Sequence, residues 1–91
     1  MKITLPKKYL INELGLPSEA IVDEITEVSR WSIHHSIVFP YEGKFYRTYY
    51  SVGATESQDE SPWKYEDEVE CFEVELKKVE IMKWVEKKDQ N

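Results

Sequence analysis

Residues 31–52, WSIHHSIVFPYEGKFYRTYYSV, decide the fold. Trp31, Ile33, His35, Ile37 and Phe39 alternate with Ser32, His34, Ser36 and Val38. That period of two sends successive side chains to opposite faces of a strand. Pro40-Tyr41-Glu42-Gly43 then supplies turn residues with a glycine late in the turn. Residues 44–52 are rich in the aromatic and β-branched side chains that suit a pleated surface. The stretch therefore reads as a β-hairpin, ended by Gly53-Ala54.

Toward the N-terminus the reading changes. Pro6 suits a first helical turn, Leu10 and Leu14 lie four apart, and Gly15 with Pro17 supplies a stop. Residues 1–25 therefore read as helical with an interruption. Ala20, Ile21 and Ile25 fit one helical face, yet Ile21-Val22 also fits the opening of a strand, and both readings stand. Toward the C-terminus, Phe72, Val74 and Leu76 share one alternating face, and Val79, Ile81 and Val85 another. The parity shifts at Lys77-Lys78, which calls for a bulge in one strand or a turn between two. Together these signals predict an α+β fold: an N-terminal helix packed on a small antiparallel sheet of three to five strands, with a long acidic loop over residues 53–67. Ninety-one residues make one domain, 1–91, with 87–91 as a frayed tail.

The loop holds the charge. The chain carries a net −6, and residues 55–70 hold seven acids against one lysine. The remaining eleven acids and eleven bases cancel, so the whole net charge sits in sixteen residues. A localised acidic segment gives a directional field, where an evenly acidic surface gives only solubility. Trp63 and Tyr65 lie within it, and disordered linkers are poor in such rings.

Other chemistry finds little support. Cys71 is the single cysteine, which excludes an internal disulfide and multi-thiolate metal sites. Glu70 and Glu73 flank it, and neighbouring carboxylates raise a thiol pKa. His34 and His35 are adjacent on a strand and point to opposite faces, so they do not chelate one metal together. Either is free to pair with a carboxylate from elsewhere. The three glycines, Gly15, Gly43 and Gly53, build no phosphate-cradling loop. The acids of the loop lack the calcium-loop pattern. Lysines of the C-terminal third interleave with Glu73, Glu75, Glu80 and Glu86, unlike the basic stripe of a nucleic-acid binder. No signal peptide or membrane-spanning run is seen, so the cytoplasm is the expected compartment. No enzyme, cofactor or metal is expected.

Arg30 to Ile33, the segment EGKFYRTYYSVGATE (42–56), QDESPW (58–63), YEDEVEC (65–71) and Trp84 carry a resemblance. They resemble a family of short proteins of uncharacterised activity encoded by phages and prophages of Gram-positive bacteria. The likeness runs from about Leu14 to Val85. It carries over no catalytic residue. It implies genome context: a small phage protein acting on host machinery or host defences by stoichiometric binding, in the host cytoplasm.

The resulting expectation is a non-enzymatic binding protein. Glu56, Asp59, Glu60, Glu66, Asp67 and Glu68 would meet a host protein with a basic surface, and Trp63 and Tyr65 would anchor it. No direct contact with nucleic acid or membrane is expected, and homo-oligomerisation stays open. The alternatives are a binder of a nucleotide-like small molecule, with Arg30 or Arg47 lining the pocket, and a minor structural or assembly component of a virion.

Overall fold

The computed structural model describes residues 1–55 and 60–88. The hairpin is present. Strand β3 (Ser32–Tyr41) pairs antiparallel with β4 (Lys44–Gly53) through ten consecutive residues on each side. Tyr41 faces Lys44 across a two-residue loop in which Glu42 and Gly43 both have positive φ. Only that mirror-image turn matches the right-handed twist of the strands, and Gly43 adopts it without steric cost.

Around the hairpin a single sheet assembles in the order β1-β5-β4-β3-β2, every pair antiparallel. Strand β2 (Val22–Val28) lies on the outer side of β3, with a register shift between Ile25 and Glu27. The open choice at Ile21-Val22 thus resolves as a strand. Strand β5 (Glu68–Val74) pairs with β4, and β1 (Lys2–Pro6) closes the far edge against β5.

The expected α+β architecture is corrected. Among the described residues the longest helix, α1 (Lys7–Asn12), has six residues, too short to form a layer on the sheet. Residues 2–6, read above as part of the helical opening stretch, are a strand. Ile3 and Leu5 alternate with Lys2 and Thr4, and Leu5 precedes Pro6, which disfavours helical backbone before it. Ile3 faces Cys71 and Leu5 faces Val69 across the ladder. The protein is mostly a five-stranded antiparallel sheet. The second alternating run near the C-terminus is also corrected. Beyond Val74 the chain to residue 88 has neither strand nor helix, so neither a bulged strand nor a second strand forms there.

One face of the sheet carries the core. Ile37 and Phe39 of β3, Tyr46 and Tyr50 of β4, Val69 and Cys71 of β5 and Leu5 of β1 are buried together. Leu10 of α1, Leu16 and Trp63 cover them from outside the sheet. Thr48, also buried, gives its hydroxyl hydrogen to the carbonyl of Glu70 at 2.8 Å. Among the described residues no helix is long and apolar enough to cross a membrane.

Candidate functional site

The segment after β4 is where the sequence concentrates its charge, and the structure shows what holds it. Gly53 N–H donates to the carbonyl of Glu60 at 3.3 Å, so the chain returns along the edge of β4 that β5 leaves free. Trp63 then turns inward. Its ring is buried, its Nε1–H donates to the carbonyl of Tyr49 at 2.8 Å, and it meets the ring of Tyr50 edge-on at 5.9 Å. A buried indole needs a partner for its one donor, and here a strand carbonyl serves.

Glu60 fixes the same segment from its other end. It accepts hydrogen bonds from the hydroxyls of Ser32 at 2.5 Å and Ser51 at 2.6 Å. These bonds favour the ionised form and hold its carboxyl below the usual value, against a small opposing effect of burial. Tyr65, two residues beyond Trp63, is 88% exposed. Glu66, Asp67 and Glu68 beside it are exposed as well.

A cavity of about 420 Å³ opens between this segment and the sheet, bordered by Glu27, His34, Tyr49, Ser51, Glu60 and Tyr65 among others. Among the described residues its wall contains three carboxylates, from Glu27, Glu60 and Glu66, against one ammonium, that of Lys64, which stands over the Tyr65 ring at 5.6 Å. Acids with exposed aromatic faces suit an organic cation. The carboxylates supply charge, and the rings supply the negative face that attracts guanidinium or ammonium groups.

Beneath the same cavity, which His35 and Tyr50 also border, Asp23 of β2 joins two strands to its own. Its Oδ1 lies 2.7 Å from Nδ1 of His35 on β3, and its Oδ2 accepts from the Tyr50 hydroxyl of β4 at 2.6 Å. The His35 and Tyr50 rings stack at 4.6 Å. Burial and the Asp23 carboxylate together push the Tyr50 phenol above its ordinary value. The arrangement supplies a carboxylate-oriented imidazole, one part of an acid–base set. The only thiol lies elsewhere: Cys71 is fully buried on β5, where burial pushes it up to about 11, so it is not an activated nucleophile. Among the described residues no group of three or more His, Cys, Asp or Glu side chains is placed to hold a metal ion.

The expected site residues are thus partly gathered. Glu60, Trp63, Tyr65, Glu66, Asp67 and Glu68 lie on one segment, with Trp63 acting as its internal post and Tyr65 as its exposed ring. Glu56 and Asp59 lie outside the described residues. Arg30 sits over Trp31 at 4.9 Å in the turn before β3. Arg47 lies on β4 opposite Val38 and Phe72. Arg47 stands six positions along β4 from Gly53, which faces Ser32 near Arg30, so the backbones of the two arginines lie roughly 20 Å apart. Neither borders the cavity. Sequence reasoning missed Asp23, Ser32 and Ser51. Ser32 fell within the alternating strand and Ser51 within the β-rich run after the turn, and nothing local marked them as partners for Glu60.

Comparison with known proteins finds no matching family model, no matching curated protein and no matching solved structure.

Proposed function

We propose that this chain is a non-enzymatic binding protein of the phage type that occupies a basic surface on a host protein. The observation that carries the reading is the contrast between Trp63 and Tyr65. Trp63 is locked into the core, while Tyr65 stands almost fully exposed beside Glu66, Asp67 and Glu68 at the rim of an acidic cavity. An exposed ring on a segment fixed at Glu60 and Trp63 costs little conformational entropy to dock, which favours its use as an anchor. The surrounding carboxylates speed encounter with an Arg- or Lys-rich partner and make binding sensitive to salt. Among the described residues the only ammonium at the cavity is that of Lys64, and Arg30 and Arg47 lie away from it, which gives a phosphate-bearing ligand little to hold.

The test is a pull-down from a Gram-positive host lysate with wild type, Tyr65→Ala and Glu66→Lys/Glu68→Lys in parallel, at low and high salt. The reading expects one host protein retained by wild type, lost with both variants and weakened by salt. Equal retention by all three proteins would refute the site.

A further inference from the structure

The C-terminal arm, residues 75–88, has no place in the activity proposed above. Leu76 and Trp84 are fully exposed, as are Val79, Ile81, Met82 and Val85 in large part. The radius of gyration is 17.5 Å, against about 12 Å for a compact chain of this length. Six large apolar side chains on a short arm without regular structure are costly to leave in water. The arm is also net basic, with five lysines against three glutamates.

The sheet offers a matching edge. All seven residues of β2 are exposed, and its outer side pairs with no other strand among the described residues. From Val22 to Ile25 the strand is regular, before the register shift. It reads Val-Asp-Glu-Ile, while the arm at 76–79 reads Leu-Lys-Lys-Val. Laid side by side, apolar meets apolar at both ends and acid meets base at both central positions, with Glu24 the principal charge because Asp23 is already bonded to His35 and Tyr50. The match holds in antiparallel and in parallel alignment, because each segment has apolar ends and like charges in the middle. Opposite charges and paired apolar side chains are the contacts that stabilise neighbouring strands. Two β2 edges laid together would instead set acid against acid, so the edge is protected from its own kind and open to a basic strand.

Leu76, where the matching segment starts, does not reach its own edge. Leu76 is two residues beyond the end of β5, a span of about 7 Å, whereas the outer side of β2 lies four strand spacings away, about 19 Å. We infer that residues 76–79 of one copy add a strand to residues 22–25 of a second copy, giving a self-associated protein by exchange of C-terminal arms. Reciprocal exchange closes a two-fold dimer. Two Trp84 rings, if covered on docking, supply ~300–500 Å² of a standard interface near 1,600 Å².

The experiment is sedimentation equilibrium of the full chain up to about 100 µM, a range that detects weak pairing. Wild type is expected to run above its 10.9 kDa monomer mass, approaching twice that value. Lys77→Glu/Lys78→Glu and Glu24→Lys, all exposed positions, are each expected to run as monomers with unchanged circular dichroism. Mixed one to one, the two variants are expected to regain part of the association, because the lysines of the Glu24→Lys arm meet the carboxylates of the other variant's edge, while the reciprocal contact stays mismatched at Asp23. A monomeric wild type overturns the inference. So does association untouched by either variant, or a mixture that stays monomeric.

Discussion

Replacing Trp63 by alanine tests whether the acidic segment rests on a fixed base. The substitution removes a ring buried to 3% exposure, its edge contact with Tyr50 and the only donor it offers to the Tyr49 carbonyl. Large aromatic-to-alanine changes in cores cost about 3–5 kcal/mol. A domain of this length has roughly 5–13 kcal/mol in total, so the variant is expected to be marginal. At about 5 °C per kcal/mol for this size, the melting temperature falls by about 15–25 °C. Trp63→Phe keeps part of the packing and loses the hydrogen bond and some ring volume, for about 1–3 kcal/mol. Trp84→Phe, on a fully exposed ring, is expected to change stability by less than about 0.5 kcal/mol. Urea titrations followed by circular dichroism at low micromolar protein measure all three. If Trp63→Ala cost under about 1 kcal/mol, Trp63 would not be the post that holds Tyr65, and the reasoning would fail. The same logic makes Tyr65→Ala the right probe of binding, since it should remove the anchor and leave the melting temperature within about 2 °C.

Three further outcomes follow from the hydrogen-bonded groups. Asp23→Ala leaves the Tyr50 hydroxyl and His35 Nδ1 without their shared partner, and thermal melts should show a loss of about 1–3 kcal/mol. Burial raises the Cys71 thiol from its ordinary 9.0 up to about 11, so the folded state holds that proton more tightly than the unfolded state. Its contribution is complete below pH 9 and is lost as pH rises toward 11, by about 2–3 kcal/mol at 1.36 kcal/mol per unit. Tyr50 steepens the loss above pH 10, and Cys71→Ser should remove the part between 9 and 11 in denaturant titrations. Glu60 has the opposite sign: its lowered carboxyl stabilises above the ordinary 4.5, and that stabilisation is lost as pH falls through its folded value. Glu60→Gln should therefore flatten the acid limb of the stability profile.

The hairpin was legible because its signals are local. Alternation from Trp31 to Phe39 and a glycine at the turn are enough to specify pairing between neighbours in sequence. Strand β1 was not, because its partner lies some 65 residues away: Ile3 and Leu5 acquire meaning only opposite Cys71 and Val69. Taken alone, residues 1–14 carry Pro6 and the Leu10/Leu14 spacing, and those favour helix. The C-terminal arm shows the converse. Val79, Ile81 and Val85 alternate as a strand should, but no neighbouring strand pairs with them among the described residues. At the candidate site the acidic run and its two rings stood out in composition. The inward turn of Trp63 did not, since it depends on the carbonyl of Tyr49 left free where β5 stops pairing with β4. Asp23 with His35 and Tyr50, and Glu60 with Ser32 and Ser51, are likewise products of strand register, which no single segment encodes.

The most direct test of the central claim is a nitrogen-15 correlation spectrum titrated with a deca-arginine peptide at low and high salt. Expected are shifts confined to Glu60, the Trp63 indole, Tyr65 and Glu66–Glu68, reduced at high salt and absent in Tyr65→Ala/Glu66→Lys. Shifts that leave this segment untouched, or that spread evenly over every exposed acid and persist in the variant, would contradict a built site for a basic partner.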